Sequence, residues 1–280
     1  MQALLDGVTV PSALQRSADD VVATVVSNAW VNSEYKHLVL AAPAQAPAAL
    51  AGQFFQLECP ATADDRPFFR RPMSVYKADA ARGEVEFLYK VTGEGTRGLA
   101  TLATGNRMRI LGPLGVGFRL DPAWREIAVV GRGVGLATLA PLAEAAAAQG
   151  IGVTAVFSAR GPAQVMSVER FASAGARVEV VLDSDRTSDV AQVEALMRRL
   201  IGEGRADALF TCGSNRLMLL LQRLGREFSI PGQVAMEQQM ACGLGMCFCC
   251  VRSFRSGDDT VSRRVCWEGP VFDLQEALSW

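Results

Sequence analysis

The stretch EIAVVGRGVGLATLAPLAEAAAAQG, residues 126–150, decides how the chain is to be read. An apolar β-rich run, EIAVVG, leads into glycines at 131, 133 and 135, and an Ala/Leu-rich helix is expected over 138–149. Glycines after a strand let the backbone turn tightly and approach a pyrophosphate, while the following helix offers unpaired N–H groups and a positive dipole end. Gly131, Gly133 and Gly135 are therefore candidate nucleotide-binding residues, although the same geometry also serves as plain turn chemistry. Thr138 is placed to cap the helix, and Pro141 is expected in its first turn, where a missing N–H costs little. Residues 127–148 are strongly apolar but carry Arg132 and Glu144, which argues for a buried strand, turn and helix over a membrane span.

Downstream the rhythm repeats. VTAVFSA (153–159), VEVVL (178–182) and DALFTCG (207–213) read as compact strands, with helices expected over 162–173, 189–202 and 215–225. Strands alternating with helices predict a Rossmann-like α/β domain with a parallel sheet over 121–230. Cys212 and Gly213 end one strand where a second ligand-facing turn belongs, with Ser214 or Asn215 available as a helix cap. Cys212 is equally readable as a small buried hydrophobe.

Upstream the signals are β. VVATVV (21–26), HLVLAA (37–42), QFFQLE (53–58), EVEFLYK (84–90) and RMRIL (107–111) are short runs separated by Pro, Gly and Asp punctuation. They predict an antiparallel β-barrel or sandwich over 21–120, after a weakly structured leader at 1–20, with one short helix at 96–103. Within it, Arg71, Pro72, Met73 and Ser74 combine a cation with a rigid Pro and a hydroxyl, a set able to hold a phosphate and meet a ring edge. Gly95 and Thr96 open the short helix as a second candidate anion site. Paired arginines are also an ordinary solvated edge.

From 231 to 280 the pattern breaks into a cysteine- and glycine-rich tail. Five of the chain's 7 cysteines lie here, four of them in ACGLGMCFCC (241–250). Cys242, Cys247 and Cys250 are spaced C-x4-C-x2-C, with Cys266 solitary downstream, the plant-type [2Fe–2S] spacing. Gly243 and Gly245 would let the loop wrap a cluster and aim N–H groups at its sulfurs. Structural zinc sites pair their ligands at both ends, so zinc and disulfide readings stand behind the cluster, and Cys249 is left over.

Composition narrows the class. Half the residues are apolar and the net charge is −1 with no Lys/Arg run, which argues against nucleic acid and against a polybasic membrane patch. MQALLDGVTV lacks a basic region followed by a long apolar core, so no signal peptide and a cytoplasmic location are expected. The single His37 reads as structural.

The tail CGLGMCFCC…VCWEGPVF resembles the ferredoxin-reductase-like family of electron-transfer subunits of NAD-dependent dihydroorotate dehydrogenase, and the resemblance runs through residues 20–280. That family's loop reads C-G-x-G-x-C-x-x-C and its last ligand sits in V-C-x-x-G-P-V-F, matched here by Cys242, Gly243, Gly245, Cys247, Cys250 and Cys266. The resemblance implies FAD held by Arg71, Pro72, Met73, Ser74, Gly95 and Thr96, a [2Fe–2S] cluster on the four cysteines, and NAD(P)H at the glycine turns. It implies an oxidoreductase subunit working in a hetero-oligomer with a catalytic flavoprotein dehydrogenase. Two departures touch the nucleotide site: Arg132 stands where the family has glycine, and Ser214 where it has proline. An arginine there either blocks close approach or adds charge to a pyrophosphate. A reductase component of another redox complex, or a zinc-stabilised scaffold, are the alternatives.

Overall fold

The structure, a computed structural model, describes residues 18–43 and 46–279. The expected leader lies outside these residues up to position 17, and from Asp19 the chain is already strand. Seven strands form one antiparallel sheet: β1 (Asp19–Trp30), β2 (Tyr35–Ala41), β3 (Phe54–Leu57), β4 (Arg71–Ser74), β5 (Lys77–Asp79), β6 (Glu84–Lys90) and β7 (Arg107–Leu114). Their order is β4-β3-β7-β1-β2-β6-β5, so β4 and β5 are edges. Alternation drives the curl: Val85, Phe87 and Tyr89 of β6, and Met108 and Ile110 of β7, point into one core, while Arg107 and Arg109 face water. Helix α1 (Glu94–Ala100) closes one end and adds Leu99 to that core.

The second sheet has six strands in the order β10-β9-β8-β11-β12-β15. They are β8 (Glu126–Arg132), β9 (Gly152–Ala159), β10 (Arg177–Leu182), β11 (Ala208–Cys212), β12 (Gly232–Ala235) and β15 (Val271–Asp273), all parallel except β15. Helices α2 (Gly135–Ala148) and α3 (Val168–Ser173) cover one face, and α4 (Val190–Gly202) and α5 (Asn215–Phe228) the other. Both faces being covered explains the near-continuous apolar runs of β8 and β9. Leu217, Leu220, Leu221 and Leu224 of α5 are buried against it, each contributing about 1.5–3 kcal/mol.

Two local expectations need correction. Helix α2 starts at Gly135 after Val134, so Thr138 is no cap but a buried residue of its second turn. Pro141 consequently lies in the helix interior, where it removes the N–H that would bond the Ala137 carbonyl. The helix tolerates this because Leu136, Leu139, Leu142 and Ala143 anchor it to the sheet.

The tail forms a hairpin, β13 (Val251–Ser256) with β14 (Asp259–Arg264), followed by the one-turn α6 (Val265–Glu268). Its core is not separate. Cys250, Phe254, Val265 and Cys266 share one apolar cluster with Leu221 of α5 and with Phe54 and Leu114 from the first sheet. That shared core fixes the cysteine loop against both sheets.

Candidate redox and nucleotide sites

The four expected cysteines come together in two pairs. Cys242 neighbours Cys247, and Cys266 neighbours Cys250, whose sulfur accepts from the Cys266 N–H. Among the described residues, no three His, Cys, Asp or Glu side chains converge as a single metal ion requires. The pairing instead suits a binuclear centre, in which each iron takes two of the four protein thiolates. Backbone N–H groups already point at the sulfurs: Leu244 to Cys242 at 3.3 Å, Gly245 to Cys266 at 3.2 Å, and Cys266 to Cys250 at 3.3 Å. Burial alone would raise the Cys242 thiol, yet the Leu244 N–H and Cys247 hold it at about 7. Burial and the adjacent Cys250 push Cys266 up to about 12. Donor set and N–H cradle therefore fit a [2Fe–2S] cluster.

Glycine makes the loop possible. Gly243 and Gly245 have φ of +72° and +77°, and a Cβ on either would meet Gln56 at 2.9 Å or Trp267 at 3.0 Å. Cys249 is exposed and its thiol faces the Gln239 carbonyl, outside both pairs.

The flavin candidates divide. Pro72, Met73 and Ser74 line a cavity of about 270 Å³, together with Tyr89 and Thr138. Arg71, the first residue of β4, is not among the residues lining the cavity; its guanidinium packs on Gly95, where a Cβ would stand 2.6 Å away. Arg71 also donates to the Phe69 carbonyl, and the Thr96 hydroxyl accepts from the N–H groups of Thr92 and Gly93. Gly95 and Thr96 thus shape the Arg71 pocket instead of the cavity wall.

The two nucleotide turns interlock. A Cβ on Gly135 would lie 2.5 Å from the Cys212 carbonyl, and one on Gly213 2.4 Å from that of Arg132. Gly131 is packed equally tightly under Leu136, and Gly133 takes φ of +55°. Cys212 is buried, and that burial raises its thiol far above the usual range. Arg132 does not enter the glycine turn. It reaches across β9 to Ser158 Oγ at 2.8 Å and to both Asp183 oxygens at 3.1 and 2.6 Å. It therefore borders a second cavity, of about 250 Å³, with Tyr35, Gly133 and Arg160. Arg160 is paired with Glu34, Ser214 caps α5 through Leu217 N–H, and His37 is paired with Glu86 at 2.7 Å.

One residue of the flavin cavity escaped sequence reasoning. Glu237 is exposed and lines the cavity, and the protein around it raises its carboxyl above the ordinary range by desolvation. It follows β12, a strand of four residues behind Pro231 that no sequence period marks.

Comparison with known proteins agrees with this geometry. Residues 237–278 match the model of the iron–sulfur cluster binding domain of dihydroorotate dehydrogenase B. The chain is 31% identical over 256 residues, 91% of its length and 97% of the relative's, to the dihydroorotate dehydrogenase B (NAD(+)) electron transfer subunit of Caldanaerobacter subterraneus subsp. tengcongensis. It is 32% identical over 262 residues to the subunit of Geobacillus thermodenitrificans, with 91% and 97% of the two chains covered. The structure of an NADH-dependent reduced ferredoxin-NADP oxidoreductase superposes with a TM-score of 0.76 at 25% identity, covering 91% of this chain and 88% of that one. A ferredoxin reductase of carbazole 1,9a-dioxygenase, at 19% identity, TM-score 0.61 and coverage of 77% and 67%, shares the fold. With its paired cysteines, its two sheets and relatives matched along nearly their whole length, the chain belongs to the family of dihydroorotate dehydrogenase B (NAD(+)) electron transfer subunits.

Proposed function

We propose that this chain is a cytoplasmic electron-transfer subunit that passes electrons between NAD(P)H and a separate catalytic flavoprotein, a dihydroorotate dehydrogenase. The observation that carries this reading is the set of backbone N–H groups aimed at the sulfurs of Cys242, Cys250 and Cys266, in a tail whose core is shared with Phe54 of the cavity wall. A bound flavin supplies the conversion of a two-electron hydride into single electrons, which a [2Fe–2S] cluster carries one at a time.

The chain's own residues do the rest. Arg71, Gly95 and Thr96 would hold the flavin phosphates, and Pro72, Met73 and Ser74 would line its ring. Gly131, Gly133, Gly135, Cys212 and Gly213 would let the nucleotide backbone approach at the carboxyl ends of β8 and β11. Cys242, Cys247, Cys250 and Cys266 would hold the cluster. Phe54, Met236, Met240 and Pro270 give the cavity apolar walls. Among the described residues no helix is long and apolar enough to cross a membrane.

A second reading, a reductase component of another multi-subunit redox complex, is favoured by Arg132. Its tie to Asp183 and Ser158 occupies the crest of the sheet in a way the family's glycine does not. Co-expression with the catalytic flavoprotein separates the two. Dihydroorotate-dependent reduction of NAD+ by the complex supports the first reading. FAD and iron present without that coupling selects the second, and a chain holding neither flavin nor iron sinks both.

A further inference from the structure

Among the described residues, Gln56 buries both side-chain amide atoms with no hydrogen-bond partner, and it is wholly shielded from solvent. Strand β3 places it. Phe54, two residues earlier on the same face, lines the flavin cavity, while Gln56 lies under the cysteine loop, about 7 Å further along. Gly243, the neighbour of Cys242, rests directly on it: a Cβ there would be 2.9 Å from Gln56 Cγ and 3.1 Å from Nε2. The surroundings are apolar, with Leu111, Leu114, Met240 and Leu244 in the shared core. A leucine would fill such a place at lower cost, since an orphaned buried amide group forfeits about 1–3 kcal/mol. A buried polar group kept in an apolar seam calls for a role beyond packing.

We propose that Gln56 is a positioning residue for the cluster: its amide N–H is the donor that cluster sulfur accepts at the Cys242 end of the loop, on the side facing the flavin cavity. Reduction adds negative charge to those sulfurs, so a donor favours the reduced form and raises the potential. Gln56 thereby biases electrons from the cavity toward the cluster. This inference rests on the cluster reading given above.

The test is an EPR-monitored redox titration of the full chain in its complex, as wild type, Gln56→Leu and Gln56→Met. Both variants should keep flavin and iron, so that the potential is read on a loaded protein. The cluster's reduction equilibrium should fall about tenfold, ~59 mV more negative for a one-electron couple, with the flavin unmoved. A role in packing alone would move the melting temperature and leave the potential in place. The proposal is overturned if the cluster potential is unchanged, if the flavin potential moves instead, or if both variants lose the cluster. A wild-type chain without any cluster EPR signal would refute the underlying functional reading itself.

Discussion

Arg264 and Cys266 are joined through one glycine: Arg264 Nη1 donates to the Gly245 carbonyl at 3.1 Å, while the Gly245 N–H donates to Cys266 Sγ at 3.2 Å. Arg264 is itself held by Glu268 at 2.6 Å and lies over the Phe248 ring at 5.3 Å. The cation therefore clamps the cysteine loop to the turn that carries the fourth ligand. Arg264→Ala should weaken iron retention by about tenfold or more, the usual effect of losing such a supporting partner. Flavin content should stay unchanged. Iron and flavin assays on the same preparation check both, and Arg264→Lys, which keeps charge without the fork, should recover only part of the loss.

The two sulfur pairs sort the cysteines. Serine at Cys242, Cys247, Cys250 or Cys266 should remove or cripple the cluster, while Cys249→Ser should leave its spectrum as in the wild type. Visible absorption of the five variants decides. A loss at Cys249 equal to the others would break the assignment.

Gly95 packs so closely on Arg71 that even a methyl group must displace the guanidinium. Gly95→Ala should cost about 1–3 kcal/mol of stability through overpacking. It should also lower flavin occupancy while leaving iron content intact. Equilibrium unfolding and flavin release on denaturation measure the two effects separately.

Acid should loosen the α4–α5 face. Arg223 and Arg198 hydrogen-bond Glu194, and Arg198 also holds Glu227, so Glu194 is held down to about 2 from an ordinary 4.5. A depressed carboxylate adds stability that is present above its unfolded value and is lost as pH falls through the folded one. Wild type should therefore lose this contribution between pH 4.5 and about 2, and Glu194→Gln should show a flatter acid limb over that window. Thermal melts across the range provide the measurement.

Local chemistry made much of this legible before any coordinates. The cysteine spacing pointed to an iron–sulfur domain, because a short loop with glycines at 243 and 245 has few ways to bring its thiols together, and residues 237–278 match one. The alternation of apolar runs forecast two sheets of different kind. What stayed hidden was set by tertiary contact. Strands β4, β5, β12 and β15 are three or four residues long, too short to show a period, and are strands only because a neighbour pairs with them. The start of α2 was placed too late because Gly135 reads as turn, while in the fold it is helix pressed against the Cys212 carbonyl. Nothing in the local sequence marks Gln56 or Glu237; only the packing of β3 under the loop, and of β12 beside the cavity, gives them their places.

Anaerobic titration of the purified chain with NADH, followed by visible absorption, tests the central claim most directly. The account predicts flavin absorption together with the broader cluster absorption, both bleached by the nucleotide in one continuous titration. A protein that shows both chromophores but is bleached by neither NADH nor NADPH would contradict the nucleotide assignment of Gly131, Gly133, Gly135, Cys212 and Gly213. A colourless protein whose four cysteines carry zinc would contradict the account as a whole.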